Sequence, residues 1–313
     1  MKWCTALAQD GSPHAAVVVG DQLHLLAGDQ QVIDLLGVAD GLAVAAERAL
    51  REPAEVVALD AARLLAPIPD PPSIRDFMAF EEHVVTSSAA LGQQVDPDWY
   101  EIPVFYFTNP AAVHPATAEV RISPGSTAFD YELEIAAVIG EGGADLDPET
   151  AAGHIAGYLL LCDWSARDLQ AREMKQLLGP AKGKDSATSF GPFLVTPDEL
   201  AGRRSGDSYD IGMRAYRNGE LYSSGNLADI YWSFAQMLAY ASRGTRLRPG
   251  DVIGSGTVGT GCILELSRVH GEQAYPYLKA GDTVRLEADE LGAIEATVLA
   301  AAEPIPLGKA RAR

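Results

Sequence analysis

The chain has 313 residues, 47% of them apolar, with a formal net charge of −19 at pH 7, enough for one large domain and a small one, each with its own core. So acidic a surface repels nucleic acid and anionic membranes, and no apolar run approaches the roughly 20 residues of a membrane-spanning helix. The opening Met-Lys-Trp-Cys-Thr-Ala-Leu-Ala-Gln-Asp lacks a sustained apolar core, which predicts no secretory leader; Cys4, Cys162 and Cys262 lack CxxC or zinc spacing, so a reduced, cytoplasmic setting is expected.

Ala15–Val19, Leu23–Leu26 and Val32–Leu36 are short apolar runs between turn residues and read as strands of a β-rich lobe. The spacing over Gly41–Arg51 predicts an amphipathic helix that ends before Pro53. Four prolines in the six residues Pro67–Pro72 stiffen the chain and remove backbone donors. This stretch divides a small N-terminal β-rich domain, 1–68, from a larger one, 69–313. Read as a helix, Ile74–His83 would put Asp76 and His83, seven residues apart, on one face. Phe80–Tyr100, small and polar in its middle, is a candidate lid. Tyr106 stands among aromatics in Ile102–Pro110 and reads equally as a core residue or a pocket residue.

Phe129–Ile139 alternates and then turns continuously apolar, as a strand entering a core does. Glu132 and Glu134 point to one side of it; Tyr131, Leu133 and Ile135 point to the other. A lone Glu-x-Glu is also the mark of a strand with one wet face. The apolar continuation argues for burial on both faces, where neighbouring carboxylates are costly unless a cation or protons intervene.

Pro148–Ala156 reads as a helix and Gly157–Cys162 as a buried strand. Asp163 closes that strand, either as the cap of a following helix or as a further functional acid. Of six lysines, Lys182 and Lys184 sit two apart in a Gly-rich stretch, local cations that an acidic chain needs if it handles an anion. Asn226 caps a predicted helix through Ser242, with Gly244 at its end, and Pro249–Asp251 turns into a strand at Val252–Gly254. Gly254–Gly261 is glycine-rich enough for backbone N–H groups to approach an anion, but no phosphate-loop pattern is present, which excludes a nucleotide. Glu265 is either an outward-facing strand residue or a functional acid, and Lys309–Arg313 is predicted to be a frayed basic tail.

Taken in register, five blocks resemble the fumarylacetoacetate hydrolase family over about residues 73–300: Asp76…His83, Glu132-Leu-Glu134, Asp163-Trp-Ser-Ala-Arg-Asp-Leu-Gln170, Gly183-Lys184…Thr188 and Gly254-Ser-Gly-Thr257…Leu264-Glu-Leu266. The resemblance implies a β-rich α+β fold, with a mixed β-sandwich or β-roll catalytic domain behind a small N-terminal β lobe, and a homodimer. It implies one divalent cation held by Asp76, Glu132, Glu134 and Asp163. An all-oxygen set of that kind independently selects Mg²⁺, Mn²⁺ or Ca²⁺ over zinc. It makes His83 a general base oriented by Glu265, gives Lys184, Arg167 and Gln170 the stabilisation of negative charge on substrate oxygens, and makes Thr257, Tyr106 and Thr188 substrate contacts.

The implied activity is hydrolysis of a carbon–carbon bond in a small anionic 2,4-dioxo or β-diketo acid. Decarboxylation, isomerisation, and hydration or dehydration of 2-oxo acids use the same scaffold and stand as the alternative, with a binding module lacking turnover as a third reading. The chain departs from the family at Met78, where fumarylacetoacetases carry a tyrosine, and at Met174, near another such aromatic position, and no arginine follows His83 at the family's spacing. The metal set and base are complete, while the residues that select the substrate differ.

Overall fold

Two buried apolar runs become the centre of the largest sheet among the described residues. In the computed structural model, which describes residues 1–90 and 92–308, Leu133–Ile139 and Ile155–Asp163 pair antiparallel, Leu133 opposite Cys162 and Ala137 opposite Tyr158. Each face of this pair meets a different layer. Leu133, Ile135, Leu160 and Cys162 share a core with Met213, Ala215, Leu286 and Ile294 of a second, five-stranded sheet. Ala136, Val138, Leu159 and Leu161 pack instead with Trp3, Val17, Ala45 and Ala49 of the N-terminal segment. Burial on both faces explains why these runs are continuously apolar rather than alternating. The fold is α+β and β-rich, with an N-terminal β region and mixed sheets.

Outward from the central pair, Val252–Gly254 joins the 133–139 strand antiparallel, Ile74–Phe77 joins Val252–Gly254 in parallel, and Phe105–Thr108 follows. On the other side Leu194–Val195 connects the sheet to Lys2–Leu7, so that the N-terminal strands extend the same sheet, with Lys2 opposite Val195 and Trp3 opposite Leu194. The proline stretch forms no regular element. Its first half is packed down nonetheless: Ile68 is buried, and the Thr5 hydroxyl donates to the Pro67 carbonyl at 3.0 Å. The α-helices among the described residues are α1 (Gly41–Arg51), α2 (Glu81–Ala90), α3 (Arg167–Met174), α4 (Phe234–Ala241) and α5 (Ile263–His270). The predicted tail Lys309–Arg313 lies outside the described residues.

Five sequence expectations need correction. Val32–Leu35 is a 3₁₀ turn and not a strand, because the Asp34 carboxylate takes the Gln31 N–H at 2.9 Å and curls the chain. Only Ala151–His154 of the predicted 148–156 helix is helical, as a 3₁₀ turn, since Ile155 is already drawn into the central sheet. The helix expected from Asn226 is two elements: Asn226 caps a 3₁₀ turn at Leu227–Asp229, and Ser233 with Gln236 forms the capping box of α4. Finally, Asp76 lies on a strand paired on both edges, and the helix carrying His83 begins only at Glu81. The strand expected over Phe129–Ile139 is also interrupted, with Glu132 held by an isolated bridge to Cys262.

Trp3 is fully buried where the N-terminal strands meet the central pair, and its indole N–H has no acceptor. Trp3→Ala should cost about 3–5 kcal/mol, and Trp3→Phe clearly less, because it removes an unsatisfied donor and keeps most of the volume. Urea unfolding of both variants measures this; equal costs would show that Trp3 does not join the two layers.

Candidate active site

Four acids from three separate segments meet where the apolar face of the central strands ends. Glu134 shares its side of the strand with Ala136 and Val138, and Asp163 shares its side with Leu159 and Leu161. Asp76 approaches across a row in which Ala136 pairs with Gly254, Gly254 with Asp76, and Asp76 with Tyr106. Position 254 needs glycine, since a Cβ there would stand 2.6 Å from Asp76 Oδ1 and 3.2 Å from Glu134 Oε2. One oxygen from each of Asp76, Glu132, Glu134 and Asp163 lies within 4.8 Å of the other three, and all four side chains are buried.

Two cations balance part of this charge. Lys184 Nζ lies 2.5 Å from both Glu132 Oε2 and Asp163 Oδ2. Arg167 reaches Glu132 Oε1 at 2.8 Å and Asp130 Oδ2 at 2.7 Å. The Tyr106 hydroxyl contacts Asp163 Oδ2 and lies 3.1 Å from Asp76 Oδ2. With Asp130 included, five carboxylates face two cations. Burial pushes the carboxyls of Asp76, Glu134 and Asp163 above the usual range, with Asp76 and Glu132 adding to the effect at Glu134 and Lys184 opposing it at Asp163. Burial acts on Glu132 too, but Lys184 and Arg167 outweigh it and hold that carboxyl well down. Asp76 Oδ1, Glu134 Oε1 and Asp163 Oδ1 are buried with no hydrogen-bond donor among the described residues. Undonated oxygens on three converging carboxylates, in a space with excess negative charge, fit a hard divalent cation such as Mg²⁺, Mn²⁺ or Ca²⁺.

The second cluster is built onto the first. Asp130 accepts the N–H groups of Ile263 at 2.8 Å and Leu264 at 3.0 Å, which starts α5 against the carboxylates. Glu265 therefore sits in the first turn of a helix, buried, and not on an outward-facing strand. Its Oε2 lies 3.0 Å from Nδ1 of His83 on α2. The ring N–H is not aligned for a hydrogen bond, a looseness common in such pairs before a substrate tightens them. Cys262 Sγ is 3.4 Å from the same Glu265 oxygen.

The remaining predicted residues distribute around these clusters. Gln170, one turn into α3, accepts from Arg167 Nη1 at 3.3 Å. Thr188 is buried opposite Asp163 across the sheet. Thr257 is buried in the glycine-rich loop with its hydroxyl unpartnered. Lys182 is turned outward and pairs with Asp185 at 2.9 Å, leaving Lys184 as the lysine of the site. Met174 is half exposed, and the Met78 carbonyl accepts from the Trp99 indole at 2.9 Å. The segment considered as a lid consists of α2, a connection whose Leu91 lies outside the described residues, and a 3₁₀ turn at Pro97–Tyr100. Asp130 escapes the sequence reading, although the alternation that marks Glu132 and Glu134 extends one step back to it.

The profile described as fumarylacetoacetate (FAA) hydrolase C-terminal matches residues 73–299. The mitochondrial oxaloacetate tautomerase of Xenopus laevis is 32% identical over 240 residues, covering 75% of this chain and 68% of that protein. The fumarylacetoacetase of Arabidopsis thaliana is 32% identical over 221 residues, 55% of this chain and 52% of its own, so the match spans about half the length of that relative. The solved fumarylacetoacetate hydrolase from psychrophilic Exiguobacterium antarcticum overlays with a TM-score of 0.73 at 26% identity, covering 96% of this chain and 99% of that one.

Glu134→Gln removes one of the crowded charges. In chelator-stripped protein it should raise Tm, while abolishing the further rise of a few degrees that saturating Mn²⁺ should give the unsubstituted chain. Gly254→Ala, whose Cβ intrudes on Asp76 and Glu134, should lose the same increment. A Glu134→Gln protein that keeps the whole Mn²⁺ increment would remove Glu134 from the cation site.

Proposed function

The chain belongs to the fumarylacetoacetate hydrolase family, whose relatives here include a hydrolase and a tautomerase, and from that premise we propose that it hydrolyses a carbon–carbon bond in a small anionic 2,4-dioxo or β-diketo acid. The observation that carries this reading is the 3.0 Å contact of His83 with buried Glu265 beside the carboxylate cluster. A base with an acid behind it is what activation of a water requires.

When bound at Asp76, Glu132, Glu134 and Asp163, a divalent cation would polarise substrate oxygens as a Lewis acid. The chain's own residues supply the proton movement and the charge stabilisation. His83 takes a proton from water at Nε2, while Glu265 on the Nδ1 side favours the imidazolium that forms. The hydroxide adds to the distal carbonyl carbon, the carbon–carbon bond then breaks with its electron pair leaving in the departing enolate, and the proton held on His83 goes to the enolate carbon, which restores the base. Lys184 and Arg167 donate to the oxygens on which that charge develops, and Gln170 steadies the Arg167 guanidinium. Thr257, Tyr106 and Thr188 complete the substrate contacts. A homodimer in a reduced, cytoplasmic setting belongs to the same proposal. The three cysteines are buried and free, and no helix among the described residues is long and apolar enough to cross a membrane.

A second reading is favoured by the relative matched over more of the chain, which is an oxaloacetate tautomerase. It uses the same residues, with His83 moving a proton between carbon and oxygen of a 2-oxo acid instead of taking it from water.

His83→Ala should lower turnover about 10²–10⁴-fold and leave Mn²⁺ binding unchanged, as read by calorimetry. A panel of 2,4-dioxo acids and oxaloacetate, with products identified by mass in isotopically heavy water, separates the readings. Two acids, one carrying the heavy oxygen, support hydrolysis; an isomer of unchanged mass supports the tautomerase. Near-normal turnover by His83→Ala would take His83 out of the mechanism.

A further inference from the structure

Lys184 reaches the acids on a loop. Helix α3 ends at Met174, and the chain turns back through Leu177 and Gly179, both in the left-handed region at φ +61° and +80°. The tip of this loop stands in solvent, with Leu177 91% and Leu178 92% exposed. One side chain closes it. The Glu173 carboxylate accepts three consecutive backbone N–H groups, from Ala181 at 2.9 Å, Lys182 at 2.8 Å and Gly183 at 3.0 Å. Successive amides converging on an anion form a strong concave site. They also hold the Glu173 carboxyl below its usual range, although partial burial opposes this.

The clamp is continuous with the site. Gly183 is pressed so closely on Gln170 that a Cβ would lie 2.7 Å from the Gln170 Cα, and its carbonyl accepts the Ala166 N–H at 2.7 Å. The next residue is Lys184, whose carbonyl takes the Thr108 hydroxyl at 2.7 Å and whose Nζ lies between Glu132 and Asp163. The backbone of 181–183 thus sets where the lysine starts, and its burial leaves the side chain little freedom afterwards.

We propose that Glu173 is a positioning residue for Lys184, a carboxylate clamp that closes the 174–182 loop and sets the lysine's ammonium between Glu132 and Asp163. The proposal rests on the reading of Lys184 given above, as a donor to developing negative charge. Glu173 acts through the backbone of 181–183. Without it those three amides turn to water, and the loop keeps short-range turns with no apolar contact at its tip.

The test compares Glu173→Ala, Lys184→Ala and the double variant, each by turnover of the acid identified in the substrate panel and by Mn²⁺ titration, which needs no substrate. Glu173→Ala should lower kcat by about 10- to 100-fold, the scale of a misplaced catalytic group. It should cause almost no further loss in the Lys184→Ala background, because the two residues act in series. Removing the ammonium relieves competition for Glu132 and Asp163, so Lys184→Ala should tighten Mn²⁺ binding by about 3- to 30-fold, and Glu173→Ala should shift it the same way by less. Glu173→Gln, which keeps one acceptor oxygen, should fall between the unsubstituted chain and Glu173→Ala. Equal fractional losses of turnover in both backgrounds, or weaker Mn²⁺ binding in Glu173→Ala, would overturn the clamp alone. Full turnover by Lys184→Ala would overturn the assigned role of Lys184 and the clamp with it.

Discussion

Carboxylates crowded together out of water are the constraint around which this chain is arranged. Two like charges about 4 Å apart cost about 4 kcal/mol at an effective dielectric of about 20, and Asp76, Glu132, Glu134 and Asp163 make several such pairs within 4.8 Å. Nothing local in the backbone would keep them there. They stay because each is carried at or near the end of a strand whose position is fixed from two sides, by the second sheet on one face and the N-terminal segment on the other. The continuous apolar runs of 133–139 and 155–163 are what hold the acids in place, and the glycine at 254 leaves the volume in which their oxygens converge.

Within that arrangement one acid has a different task. Asp130 gives one oxygen to Arg167 and both to the first amides of α5. An anion at a helix N-terminus is favoured by the unpaired amides and by the helix dipole. Arg167 then spans Asp130 and Glu132, so the salt-bridge network of the carboxylate cluster runs into the cap of the helix that presents Glu265. The placement of the His83 partner and the charge balance at Glu132 are therefore linked through two residues, and a change at either Asp130 or Arg167 disturbs both.

Legibility in the sequence followed the range of the interactions. Glu132 and Glu134 could be read because period-two alternation and an apolar continuation are adjacent in the chain. Asp130 obeys the same alternation, but its partners, Arg167 and the 263–264 amides, are distant and leave no local mark. The seven-residue spacing of Asp76 and His83 suggested one helical face. The strand at Ile74–Phe77 exists only because Val252–Gly254 and Phe105–Thr108 lie on its two edges, a pairing that no window of sequence contains. Val32–Leu35 and 148–156 failed for the opposite reason: single turn-forming contacts and the pull of a sheet outweighed patterns that looked regular. The α1 bounds were fully legible, since its apolar stripe and the proline beyond it are all local. Glu173 carries no periodic signature, and its contacts eight to ten residues on follow only from the path of the loop.

The acids do not by themselves decide between hydrolysis and tautomerisation. In the proposed mechanism both reactions would gather negative charge on oxygens facing the same cluster, and both would use His83 as the base. They differ in what lies over Nε2: a water poised toward a carbonyl carbon, or a carbon of the substrate itself. That depends on the room beside the imidazole, and so on α2. Of this helix's first nine residues only His83 and Val84 are buried; Glu81, Glu82, Val85 and Ala89 face solvent, and the Ser87 hydroxyl is buried without a partner. The helix packs on α5, where His83 stands 3.0 Å from Glu265. The tryptophan and tyrosine side chains at 99, 100, 231 and 232 pack edge to face or tilted against one another beyond it, and the Trp99 indole fastens that turn to the Met78 carbonyl just ahead of α2. On the proposed mechanism, the seating of α2, more than the carboxylates, would therefore decide which proton His83 moves.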